Sequence, residues 1–275
     1  MMSTNLLFYK WLFLSLAAAS LVLGAGLGVW LAHLEDGPLH ARVLVAHALT
    51  NVLGWVGLTL TGTLLTLWPT MLRTRMDDRA VRWTTLALPV FGAALIVAVG
   101  GALLGSSWAA ATGVGGYLAA LALWGRNLWG PLRHRRPSEF APASVAAGIF
   151  WLTVAVAWAG WNLATTSDWT WIDEAFVWPA ATLAVGLLQV LIGASSYLLP
   201  SVLGGGPSVV RAGQAWLNRW WFGRIVIVNT CLLLWVLPTP WPLKWIAASL
   251  GIVTCALFVP LMIAGVRASL RARSA

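Results

Sequence analysis

The sequence predicts an all-helical integral membrane protein with eight transmembrane helices. Three observations carry that prediction. Hydrophobic residues make up 60% of the 275 positions and charged residues 9%, with a mean hydropathy of +0.82. The apolar residues gather in runs of about 20, the length a hydrocarbon core requires of a helix. The basic residues fall in short segments between those runs, which is how a membrane protein records its topology. A net charge of +9 on a soluble chain would point to nucleic acid. Its confinement to inter-run segments makes it a topology signal instead, and no nucleic-acid partner is expected. Cys231 and Cys255 both lie in apolar runs and supply neither a disulfide framework nor a CxxC metal motif.

The first run, Trp11–Ala32, follows Lys10. Trp11 to Leu23 alone would pass for a signal peptide, but the apolar stretch continues through Gly24–Ala32, as an uncleaved span does. The second, Val43–Trp68, follows the turn Asp36-Gly37-Pro38, where proline suits the first helical position. The third and fourth, Trp83–Leu104 and Trp108–Leu123, are separated by Gly105-Ser106-Ser107 and so form a tight hairpin. The fourth is short and holds Gly113, Gly115 and Gly116. Val145–Leu163, Phe176–Leu199, Trp221–Leu237 and Trp245–Ile263 complete the set. Each must be helical, because lipid offers no partner to an open backbone.

Fifteen of the seventeen basic residues fall on one side of this arrangement, leaving Arg42 and Lys244 opposite. The positive-inside rule places that face, with both termini, in the cytoplasm of a multi-pass cell-membrane protein. Glu35, Asp36, Asp168, Asp173 and Glu174 mark the outer loops. Most of the 20 tryptophans stand at run ends, Trp171 among them, as an interfacial belt, while Trp55 and Trp158 lie deeper and are expected to pack.

The chain also repeats. Gly62-Thr-Leu-Leu-Thr-Leu-Trp-Pro69-Thr-Met-Leu72 aligns with Gly193-Ala-Ser-Ser-Tyr-Leu-Leu-Pro200-Ser-Val-Leu203 as G-x4-L-x-P-[ST]-x-L. Trp11-Leu12 matches Trp151-Leu152, and Arg82-Trp83 matches Arg219-Trp220, at similar offsets. The expectation is a single polytopic domain of two four-helix halves, residues 1–137 and 138–275. A pseudo-two-fold axis along the membrane normal would relate them. Pro69 and Pro200 are expected to end or kink their helices at the cytoplasmic face.

Candidate chemistry centres on His33, His40 and His47. His47 is the histidine that must enter hydrocarbon, where an ionisable side chain is a site hypothesis by default. His40 and His47 share a helix face but differ in height by about 10 Å, too far to hold one metal ion. Asn51 lies one turn beyond His47 on the same face. Three readings stand: a cofactor at His47 and Asn51, with His47 as a haem axial ligand; an outward copper or zinc site using His33 and His40; or a neutral His47 hydrogen-bonded to Asn51 or a neighbouring span. A second candidate is the polar set Asn162, Gln189, Ser195, Ser196, Tyr197, Asn229 and Thr230, which with the threonines of run two could line a solute path or simply join helices. Gly204-Gly205-Gly206-Pro207 lacks the lysine of a phosphate loop and reads as a flexible exit from run six. No catalytic triad or carboxylate pair is present, so no catalytic residue is assigned.

The stretch His47-Ala-Leu-Thr-Asn51-Val-Leu-Gly54-Trp55-Val-Gly57, with Trp68-Pro69-Thr70, resembles a polytopic membrane region of actinobacteria. That region is fused to or lies beside copper-containing nitrite reductases and multicopper oxidases. It is similar to a histidine-bearing helix of haem–copper oxidase subunit I-like proteins. Gln189 to Gly193, Tyr197 to Pro200 and Gly204 to Pro207 resemble a later part of the same region. Its His-x-His-x-Asn motif is matched here at His47 and Asn51, while the middle histidine is Leu49. The resemblance implies a membrane subunit linked to haem or copper redox enzymes, sitting in the bilayer with a redox-protein partner or as a homo-oligomer. His47 and Asn51 would face a haem, or His33, His40 and His47 a metal. The residues alone equally allow a small-solute transporter or channel, or a structural or assembly protein without a cofactor.

Overall fold

A computed structural model describes residues 4–166, 168–169 and 172–274, with side chains from Phe8 onward except those of 172–175. Trp171 and the side chains of Asp173 and Glu174 lie outside the described residues. Every regular element among the described residues is a helix: α1 Thr4–Leu31, α2 Pro38–Leu49, a π-helical segment Thr50–Gly57, α3 Leu58–Met71, α4 Ala80–Leu103, α5 Ser107–His134, α6 Phe140–Thr165, α7 Ile172–Leu203, α8 Pro207–Leu217, α9 Trp221–Val236, α10 Trp241–Ala256 and α11 Phe258–Ser274.

Six helical stretches among the described residues are long and apolar enough to cross a membrane: Phe8–Leu31, Pro38–Met71, Ala80–Leu103, Phe140–Thr165, Phe176–Leu203 and Trp241–Ser274. A seventh exists if α8 and α9, bent by 43° at their junction, are taken together. The chain is thus compatible with a multi-pass membrane protein of six or seven spans, against the eight expected. The difference lies in two runs. The expected fourth span sits in α5, whose 28 residues are long enough but diluted by Gly113, Gly115, Gly116 and Ser107. The expected seventh is only α9, 16 residues, about 24 Å at 1.5 Å per residue.

The chain forms two compact units, Met1–Arg136 with Ala155–Pro179, and Pro137–Val154 with Ala180–Ala275. Their division runs through α6 and α7. In the first unit, α4 and α5 make the tight hairpin the sequence implies. Gly105 turns the chain at φ +75°, a conformation that favours glycine, and the Ser106 hydroxyl accepts the Ala109 N–H at 3.3 Å as an N-cap. The two helices then touch backbone to backbone, because a Cβ on Gly101 would strike Ala109 and Ala110, and one on Gly113 would strike Ala98. Small residues are what let membrane helices approach so closely. Phe13, Phe91 and Tyr117 stack edge to face behind this seam, at 5.9 and 4.8 Å.

The repeated glycines act alike in the two units. A Cβ on Gly62 would meet Phe13 Cβ at 2.9 Å and the Lys10 carbonyl at 3.6 Å. One on Gly193 would meet Ser144 Cβ at 3.0 Å and the Ala141 carbonyl at 2.9 Å. All three correspondences have one offset, 131 residues (193 less 62, 144 less 13, 141 less 10). Trp11 against Trp151 stands at a different offset, 140 residues. Pro69 and Pro200 lie inside the last turns of α3 and α7, which end at Met71 and Leu203.

The second unit differs after that point. Gly204, Gly205 and Gly206 all adopt positive φ (68°, 96° and 90°) and lead into α8, which buries Val209, Gly213 and Leu217 at four-residue spacing. α8 packs on α11, where Ser269 Oγ donates to the Val209 carbonyl at 3.1 Å.

Arginines lie over tryptophan rings at the ends of several helices: Arg126 over Trp83 at 4.5 Å, Arg133 over Trp129 at 5.3 Å and Arg219 over Trp216 at 3.6 Å. Trp235, Trp241 and Trp245 cluster about the α9–α10 turn, with ring centroids 5.6–6.4 Å apart. Trp55, expected to pack, is 41% exposed. It points away from the α1 contact that the rest of its turn makes.

Candidate functional site

The helix opened by Pro38 carries His40 and His47 as the sequence implies, but each histidine is held by a different backbone carbonyl. Nδ1 lies 2.8 Å from Val29 O for His33, 3.4 Å from Leu34 O for His40 and 2.9 Å from Gly24 O for His47. Among the described residues no group of three or more His, Cys, Asp or Glu is placed to hold one metal ion.

The His47 ring lies against α1. A carbonyl oxygen can only accept, so Nδ1 carries the proton donated to Gly24 O, and Nε2 is left with the lone pair. The Asn51 amide donates to the His47 carbonyl at 2.9 Å and stands 3.5 Å from Nε2, too long for a strong bond. Glycines at 24 and 28 make room for this approach. A Cβ on Gly24 would lie 2.6 Å from Asn51 Oδ1, and one on Gly28 would lie 2.9 Å from His47 Cε1. From the other side, a Cβ on Gly54 would lie 2.6 Å from the Ser20 side chain. A porphyrin plane would not fit between ring and helix without parting them.

Directly after His47 the helix widens into the π segment Thr50–Gly57. Such a turn shifts the hydrogen-bond ladder by one residue and is often found at functional sites. Leu53 O accepts the buried Tyr117 hydroxyl at 2.8 Å, and Gly57 is needed there because a Cβ would collide with that hydroxyl.

A second constellation lies wholly within the second unit, among α6, α7, α9 and α10. Trp151 Nε1 donates to Asn229 Oδ1 at 2.6 Å. An indole can only donate, so the Asn229 oxygen is fixed there and its nitrogen must point elsewhere. That nitrogen donates to Ile225 O at 2.7 Å and to Gln189 Oε1 at 3.1 Å. The same logic carries one residue further: Gln189 spends its oxygen on Asn229, and its Nε2 is left buried without a partner. Ser144 Oγ donates to the Gln189 carbonyl at 2.7 Å, tying α6 to α7.

Arg224 completes the group. It stands in the first turn of α9 and is 3% exposed, where the sequence counts it among loop charges. Its Nη1 donates to Leu217 O at 3.0 Å, its Cζ lies 3.6 Å above the Phe140 ring, and its Nε has no partner. Phe140, Ser144, Gln189, Ile192, Arg224, Ile225, Val228, Thr254 and Cys255 line a small, partly open crevice of about 10 Å³, room for about one water.

Gln189 and Asn229 were legible as polar residues in apolar runs. Arg224 was counted as a loop charge, although it lies four positions into the run Trp221–Leu237. Trp151 and Tyr117 carried no chemical signal, because only the fold gives their donors a partner. The helix-lining residues Ser196 and Thr230 do not join the group, since Ser196 Oγ bonds back to Ile192 O at 2.8 Å and Thr230 does not line the crevice. Comparison with protein-family models, with curated proteins and with solved structures finds no match for this chain.

Proposed function

We propose that this chain is a multi-pass plasma-membrane transporter or channel for a small polar solute, built from two similar four-helix halves. The observation that carries the reading is the oriented chain Trp151–Asn229–Gln189, which ends on a buried amide donor without a partner at an open crevice. Polar groups that merely join helices satisfy one another, whereas this chain leaves a donor unspent. The common 131-residue offset of the Gly62 and Gly193 contacts supports the two halves. The arginine–tryptophan contacts at the helix ends support a cytoplasmic face there, with both termini inside. α5 counts as a span on this reading: it lies against α4 backbone to backbone over Gly101 and Gly113 and so reaches as far across the bilayer as α4 does. The test is stopped-flow swelling of proteoliposomes with glycerol, urea, acetate and phosphate. Permeation above that of protein-free vesicles for at least one solute is expected, and identical rates for all four overturn the reading.

A second reading follows from His47. With Nδ1 committed to Gly24 O, the free lone pair sits on Nε2, the arrangement metal-bound histidines adopt. This supports the redox-linked membrane subunit that the resemblance implies, with His47 offering one ligand through Nε2 and a partner protein supplying the others. Absorption spectra and metal analysis of protein expressed with haem and copper in supply test it. A Soret band or stoichiometric copper that disappears in His47→Ala is expected. Metal-free and haem-free protein overturns it.

A further inference from the structure

Among the described residues Arg224 is a buried cation with no anion beside it. Its hydrogen-bonded and ring partners are Leu217 O and Phe140, and neither cancels its charge. Uncompensated charge in a low-dielectric interior is strongly unfavourable, and in membrane segments such residues mark ligand paths. Thr254 and Cys255, which share its crevice, stand in the middle of the apolar stretch Trp241–Ser274.

The guanidinium is oriented as well as buried. With Nη1 taken by Leu217 O, the edge formed by Nε and Nη2 is the one left open, and that side-on edge matches two oxygens of a carboxylate or phosphate. A second buried donor without a partner, Gln189 Nε2, belongs to a residue that lines the same crevice, its orientation set through Asn229 by Trp151. Both residues are 3% exposed. The nearby hydroxyls are already committed as donors, Ser144 to Gln189 O and Thr254 to Leu250 O, so the free donors are those of Arg224 and Gln189. Among the described residues no carboxylate lines the crevice. We infer that the crevice of the second unit is an oxyanion site, in which the Nε/Nη2 edge of Arg224 and the Nε2 of Gln189 bind one or two oxygens of a phosphate or carboxylate that enter from the open side while the remainder of the ligand lies outside. This rests on the transport reading for its purpose but not for its geometry. The oxyanion could belong to a free small solute or to a lipid headgroup, and the chemistry recognised is the same.

The test uses the full-length protein in a neutral maltoside detergent, with a bulky sulfonate as the sole buffer anion. Its unfolding temperature is followed while inorganic phosphate, acetate or dihexanoyl-phosphatidylglycerol is added. A saturable rise is expected. Its half-point should move at least tenfold upward in Arg224→Gln and several-fold in Gln189→Leu. Trp151→Phe leaves the crevice lining intact but frees the Asn229–Gln189 amides to turn over, and should weaken the response by a similar several-fold factor. That variant keeps the inference testable if Arg224→Gln does not fold. A response to phosphate or acetate assigns the site to a free anion, and a response to the lipid alone assigns it to a headgroup. No saturable response from any of the three, or an equal response from the wild type and the variants that fold, overturns the inference. Saturable binding without flux in proteoliposomes would overturn the transport reading and leave the site standing.

Discussion

Gly113→Ala against Gly115→Ala tests the α4–α5 seam with an internal control. Both glycines lie in one helix, two residues apart. Alanine at either gains about 1 kcal/mol of helix propensity. The environments differ completely. A Cβ on Gly115 meets nothing within 4 Å, whereas one on Gly113 would stand 2.5 Å from Ala98 Cα and 2.7 Å from Ala98 Cβ. Ordinary carbon contacts lie at about 3.5–4.0 Å, so the helices must separate by about 1 Å. Backbone atoms cannot swing aside as a side-chain tip can. Overpacking of this kind costs about 1–3 kcal/mol, and parting the helices also loosens the Phe91–Tyr117 stack behind them. Gly115→Ala should therefore be neutral or slightly more stable than wild type, and Gly113→Ala less stable than Gly115→Ala by about 1–3 kcal/mol, since the propensity gain is common to both. In detergent this reads as a fall of several degrees in unfolding temperature. Equal unfolding temperatures for the two variants would refute the close seam, and with it the argument that α5 spans as far as α4.

Tyr117→Phe should destabilise by about 1–2 kcal/mol, because the buried Leu53 carbonyl loses its donor; thermal unfolding reads it, and an unchanged midpoint would remove the support this bond gives the π segment. Gly28→Ala should displace the His47 ring, whose Cε1 lies 2.9 Å from the added carbon, while Gly26→Ala, with nothing within 4 Å, should be silent. The ring signals in an NMR spectrum of histidine-labelled protein check this, and matching spectra for the two variants would count against the packing. Single cysteines at Arg75 and Arg135, in a background lacking Cys231 and Cys255, should be labelled from the cytoplasm only. Labelling from outside reverses the orientation.

Much of this architecture is written locally in the chain. Partition into lipid depends on composition over about 20 residues, so the apolar runs and the charged segments between them can be read without knowing any contact. The hairpin at Gly105, the helix start at Pro38 and the Gly62/Gly193 motif are local for the same reason. What only the tertiary structure decided is the identity of the partners. His47 was legible as an ionisable group in an apolar run, yet its bond to Gly24 spans 23 positions and depends on which face of α1 carries Gly24 and Gly28. The π register of Thr50–Gly57 was not legible, since helix periodicity in an apolar run looks the same with one hydrogen bond shifted. Arg224 is the clearest case. Charge counting treats every arginine near a span end as solvated, but burial depends on what α6, α7 and α10 place around it. A guanidinium loses its water only when the fold closes over it, and no short window of sequence records that.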